Sequence, residues 1–159
     1  MLKLQLPIEL VLELSQELRG AGRREIGGIM MGEQLAPSDF KITDLTYQRH
    51  GGMFARFVRN ARIALVALQQ FFSRTEHRYA QYNYLGEWHS HPSFEPRPSA
   101  RDHESMIDMA CHQNTGANFV LLMIAKLGDE ENLEGSVTVY LPDGTVGQGL
   151  LSIEHEAAA

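Results

Sequence analysis

A chain of 159 residues, 43% hydrophobic and 21% charged, has the composition of one soluble globular domain with a core of its own. Its formal net charge of −6 argues against a nucleic-acid phosphate partner, which would want a basic face. The single cysteine, Cys111, excludes an intramolecular disulfide and a Cys-rich zinc site, and fits a reducing, cytoplasmic setting.

Leu2 to Leu6 alternates as a short strand. Lys3, Glu9 and Glu13 interrupt the opening stretch, so it does not read as a signal peptide. Pro7 opens a helix in which Leu10, Val11, Leu14 and Leu18 recur at helical spacing, and Gly20 and Gly22 end it. Glu25 to Leu35 reads as a buried strand, and Phe40 to Tyr47 as another with a slip in its alternation. Gly51-Gly52 marks a turn, and Met53 to Val58 reads as extended. Ala61 to Tyr79 is an amphipathic helix. Tyr84 to His91 is a strand, Phe94 to Pro98 a proline-stiffened loop, and Ser99 to Gln113 a helix. Asn118 to Lys126, Val137 to Leu141 and Val146 to Ile153 read as strands, with a tight turn at Pro142-Asp143-Gly144. The longest apolar run, Phe119 to Ala125, is too short to span a bilayer, so no membrane association is expected. The pattern predicts an α/β or α+β fold around one central sheet, a single domain over residues 1–153 with a short tail at 154–159.

The chemistry concentrates at His89-Ser90-His91-Pro92 and at Ser99-x-x-Asp102. On a strand, residues i and i+2 share a face, so both imidazoles can meet one ion. Asp102 starts the next helix and can reach the same point from across the loop. Two imidazoles and a carboxylate are three protein ligands, the usual number for a catalytic zinc that keeps a fourth position open. Ser99 has two readings, the hydroxyl of a capping box or a donor to the oxyanion formed when water attacks a carbonyl. Hydrolysis also needs a carboxylate to move the proton. Glu25, leading into the apolar strand Ile26-Gly27-Gly28-Ile29-Met30-Met31-Gly32, is the best candidate, although on composition alone a solvated strand end after Arg23-Arg24 explains it better. Glu87 shares the histidines' face. It either accepts from an imidazole N–H and fixes its tautomer or is a salt-bridged strand residue. His50, His77, His103, His112 and His155 lack matching partners in sequence, and Trp88 should point into the core.

Together these residues resemble the JAMM metalloprotease family, also called MPN-plus or JAB. The match is carried by Glu25 before Gly27-Gly28, then His89-Ser90-His91-Pro92, Ser99 and Asp102, and it extends over about residues 8–153. The resemblance implies a cytidine-deaminase-like fold, with a curved, mostly antiparallel sheet flanked by helices. It implies Zn2+ held by His89, His91 and Asp102, with Glu25 as general base and acid and Ser99 steadying the tetrahedral intermediate. The implied substrate is a ubiquitin-like protein or its conjugates, cleaved after the C-terminal tail as that tail lies along a strand edge near the site. The stretch Tyr82 to Pro92 is especially similar to deconjugating peptidases of bacterial antiphage operons, which implies E1-like and E2-like enzymes as partners. Two other readings stay open: a peptidase that trims sulfur-carrier proteins, and a non-catalytic MPN scaffold that kept a structural zinc. A zinc deaminase would want a Pro-Cys-x-x-Cys pair that one cysteine cannot supply.

Overall fold

A computed structural model describes residues 1–49, 61–112 and 118–158. The turn expected at Gly51-Gly52, the extended segment expected at 53–58 and the helix end expected at Gln113 lie outside the described residues. The strands are β1 (Lys3–Leu6), β2 (Gly27–Ala36), β3 (Asp39–Leu45), β4 (Tyr82–Ser90), β5 (Val120–Leu127), β6 (Leu133–Tyr140), β7 (Val146–Gln148) and β8 (Leu150–Ile153). The helices are α1 (Ile8–Ala21), α2 (Ala61–Arg74) and α3 (Ala100–Cys111). One mixed sheet runs in the order β7-β6-β5-β4-β2-β3-β1-β8. It is antiparallel at β2–β3, β2–β4, β5–β6 and β6–β7, and parallel at β1–β3, β1–β8 and β4–β5.

Alternation along the strands sorts the apolar side chains to two faces. One face carries Ile26, Met30, Trp88, Leu121, Met123 and Val137, and α1 covers it with Leu10, Leu14 and Leu18. On the other, Val120, Leu122, Ile124 and Tyr140 meet Met106 and Ala110 of α3, while Ile29 and Met31 meet Phe71 of α2. Trp88 is fully buried, as expected, and its Nε1 donates to the Thr46 carbonyl at 2.9 Å.

Two glycines set the register next to the histidines. A Cβ on Gly28 would overlap the Thr46 carbonyl, so only glycine lets β2 approach the chain after β3 this closely. Gly86, at φ +147°, sits at a register shift between β2 and β4, and a Cβ there would overlap the Leu121 backbone. Downstream of that shift Glu87 and His89 face α3, while Trp88 faces α1.

Three elements differ from the sequence reading. Helix α2 stops at Arg74, because Glu76 and His77 turn to positive φ while the Thr75 hydroxyl donates to the Phe71 carbonyl. The apolar spacing ran on to Tyr79 because that ring stacks edge-on against Phe72. Strand β6 begins at Leu133, ahead of the expected Val137, where Glu134, Gly135 and Ser136 carry no apolar alternation. The single strand expected over 146–153 pairs in two places, β7 with β6 and β8 with β1, with only Gly149 between them. The sheet therefore curls until its two ends are joined by one stretch of chain.

Candidate metal centre

His89 and Ser90 end β4, and His91 follows directly. The β4 end is pinned on both sides. The Ser90 N–H donates to the Ile26 carbonyl at 2.8 Å, the Ile26 N–H donates to Ser90 Oγ at 3.0 Å, and the His91 N–H donates to the Ala125 carbonyl at 3.0 Å. Gly27 and Ile124 pair with His89 from the two neighbouring strands. His89 therefore projects from a rigid, central strand toward α3.

Asp102 arrives from the first turn of α3. Ser99 caps that helix through a complete capping box: Ser99 Oγ accepts from the Asp102 N–H at 3.2 Å, and Asp102 Oδ2 accepts from the Ser99 N–H at 2.7 Å. The Ser99 hydroxyl also donates to Asp102 Oδ2, at 2.8 Å. The capping reading of Ser99 thus describes its resting contacts.

His89, His91 and Asp102 converge, all three buried, with one ligand atom from each lying within 4.8 Å of the others. The separations are 3.1 Å between the two Nε2 atoms, 3.5 Å from His89 Nε2 to Asp102 Oδ1, and 3.8 Å from His91 Nε2 to Asp102 Oδ2. Bonds of about 2.0–2.1 Å to a tetrahedral zinc would place ligand atoms about 3.3 Å apart. The three side chains can therefore meet one metal ion, and their spacing and donor set are compatible with Zn2+.

The electronic state suits a cation. His91 Nδ1 lies 3.0 Å from the Glu95 carbonyl. A carbonyl can only accept, so Nδ1 carries the proton and the Nε2 lone pair is turned to the cluster. Burial, the largest single influence on Asp102, would raise its pKa. The hydrogen bond and charge of His89, together with the bonds from Ser99, outweigh burial and hold the carboxyl well below the usual range. The Glu95 contact could not be read from residue types, since a backbone carbonyl in a loop leaves no signature in them.

Glu25 is half-buried and two residues before Gly27, the partner of His89. Strand β2 begins only at Gly27, so Glu25 precedes the strand that the sequence reading had it open, and Ile26 between them belongs to the α1-side core. Its carboxylate is not part of the three-residue cluster.

The family model of prokaryotic homologs of the JAB domain matches residues 7–138. This chain belongs to that family. Among solved structures, the JAB chain is similar to a Desulfitobacterium hafniense protein with TM-score 0.65 and 18% identity, covering 96% of this chain and 94% of that one. A Salinibacter ruber protein matches with TM-score 0.52 and 16% identity, covering 98% and 94%. A JAB1/MPN domain protein from Archaeoglobus fulgidus is also similar, with TM-score 0.46 and 15% identity over 94% and 96%. At these identities the likeness is one of fold. No curated protein matches the chain.

Around the centre of this JAB domain, His103 is not part of the cluster, and its Nδ1 lies 2.9 Å from the Tyr140 hydroxyl. Burial, and then the Asp102 carboxylate, push the Tyr140 pKa up, so that hydroxyl stays protonated. A groove of about 820 Å³ opens beside the His91–Pro98 loop, lined among others by Glu95, Arg97, His103, Lys126, Ser136 and Gln148. No helix among the described residues is long and apolar enough to cross a membrane.

Glu87 makes no ion pair among the described residues, and its Oε2 has no hydrogen-bond partner there. It is only 5% exposed. Burial pushes its pKa from 4.5 up to about 8. A group raised on folding gives its full stability below the unfolded pKa and loses it as the pH climbs through the folded one. The metal-free JAB domain should therefore lose stability from about pH 4.5 to about pH 8. Glu87→Gln should abolish that slope, because the amide does not titrate. Denaturant midpoints across this range check it, and parallel profiles for the two proteins would show that the carboxyl is not held neutral.

Proposed function

We propose that this JAB domain is a zinc-dependent peptidase that hydrolyses the bond following the C-terminal tail of a ubiquitin-like protein, in a conjugate or a precursor, within a bacterial antiphage conjugation system. One observation carries the reading. His89, His91 and Asp102 form a buried cluster that offers three protein ligands, with no fourth among the described residues, in a chain of the JAB family. A structural zinc site would normally be closed by a fourth side chain. A bound Zn2+ would supply Lewis acidity and a water acidified to a pKa near 7.

The chain's own residues divide the remaining work. Glu25, half-buried two residues before the partner of His89, would take the water's proton and return it to the leaving amine. Ser99, the N-cap of α3, would be the donor to the developing oxyanion when its hydroxyl leaves Asp102. Strand β4 is hydrogen-bonded to β2 and β5 along both sides. A substrate tail therefore meets the site where these strands end and does not lie alongside β4. The groove beside Glu95 and Arg97 is open to receive extended chain.

The purified protein should cleave candidate ubiquitin-like fusions, and a chelator followed by added zinc should stop and restore cleavage. Offering isopeptide-linked and linear fusions in parallel separates deconjugation from trimming of a sulfur-carrier tail. Cleavage that survives exhaustive chelation would refute the metal-dependent reading.

A further inference from the structure

We propose that Ser99 is a positioning residue whose hydroxyl, donating to Asp102 Oδ2, sets the zinc affinity of the site. The inference rests on the metal reading above and deepens it. In an ordinary capping box the N3 carboxylate serves only the helix, reaching back to one backbone N–H. Here the same carboxylate belongs to the buried metal cluster. Oδ2 takes two donors from Ser99, at 2.7 and 2.8 Å. Oδ1, free of Ser99, lies 3.5 Å from His89 Nε2, while Oδ2 is also 3.8 Å from His91 Nε2, so the two bonds from Ser99 fix how both oxygens face the histidines.

The division of labour has a physical cause. Asp102 is 7% exposed, so its charge needs fixed partners in place of water. A short aspartate held at one oxygen by two donors keeps one rotamer, so little side-chain freedom remains to be lost when an ion binds. Partners of this outer kind typically change metal affinity 10- to 100-fold. A hydroxyl also has only one hydrogen to give. In the resting site that hydrogen belongs to Asp102, so any service to a reacting carbonyl requires Ser99 to release the ligand it is holding.

The test compares Ser99→Ala, Ser99→Gly and Ser99→Thr with wild type, measuring zinc dissociation constants by competition with a chromogenic chelator, well below the unfolding temperature. Glycine is nearly as good a helix N-cap as serine but lacks the hydroxyl, so it separates helix initiation from positioning. The expected result is zinc affinity weakened about 10- to 100-fold in both Ser99→Ala and Ser99→Gly, and affinity within a few-fold of wild type in Ser99→Thr. Wild-type affinity in Ser99→Ala alongside lost turnover would overturn the proposal, because the hydroxyl would then act on substrate alone. Weakening in Ser99→Ala but not in Ser99→Gly would also overturn it, by assigning the effect to the helix start. A wild-type protein that takes up no zinc would sink the metal reading itself, and the positioning role with it.

Discussion

Glu25→Gln is expected to leave zinc bound at one equivalent and to lower kcat by about 100- to 10,000-fold, the usual contribution of a positioned general base. The substitution keeps the size of the side chain and removes only its ability to take a proton. Glu25 lies outside the cluster of His89, His91 and Asp102, so metal content should not follow activity. It also lies outside the buried core, so folding should be unaffected. KM should change little if the carboxylate works only in the transition state. The measurements are metal content by elemental analysis and steady-state kinetics on a cleavable fusion. Undiminished turnover with zinc in place would remove Glu25 from the reaction, and loss of zinc would make it a ligand or a ligand's partner.

Asp102→Asn and His91→Ala are expected to separate in the opposite way, losing metal and turnover together. Removing an outer partner of a ligand already costs 10- to 100-fold in affinity, so loss of a ligand should exceed about 100-fold. The change can be read without any substrate. A ligand that binds only the folded state at 100 times its dissociation constant adds about 2.7 kcal/mol to stability. Zinc should raise the unfolding midpoint of the wild-type protein accordingly and leave both variants where they were. A midpoint in either variant that responds to zinc as the wild type does would show that the ion sits elsewhere.

The site was more legible in the sequence than the sheet was. His89 and His91 sit two apart on a strand, and period-two geometry alone predicts that they share a face. Ser99-x-x-Asp102 announces a helix start, which brings the Asp102 carboxylate to the head of that helix. These are local rules, and the structure brings the three side chains together as those rules require. The misjudged boundaries depend on contacts that are distant in sequence or on backbone that side chains do not advertise. Helix α2 was read too long because Tyr79 keeps its apolar partner, Phe72, after the helical backbone has ended. Strand β6 was read too short because Glu134, Gly135 and Ser136 belong to it through pairing with β5, without apolar alternation of their own. The slip in alternation near Leu45 and Tyr47 does have a counterpart, in the register shift between Met31 and Gly32 where β3 runs against β2. Nothing in the residue types could have revealed that Glu95 orients His91 through its carbonyl.

The way β7 and β8 divide one stretch of chain has a consequence for truncation. The Gly149 N–H donates to the Val137 carbonyl at 2.9 Å, and the next residue, Leu150, donates to the Leu2 carbonyl at 2.8 Å. This short segment works as a clasp rather than a trailing end. A premature stop after Thr145 would strip hydrogen-bond partners from the first and sixth strands at once, and would uncover Leu4 and Leu6, both fully buried, together with Val137. Such a deletion should behave as an all-or-none loss of the folded molecule, whereas replacing the exposed residues 155–158 should pass almost unnoticed.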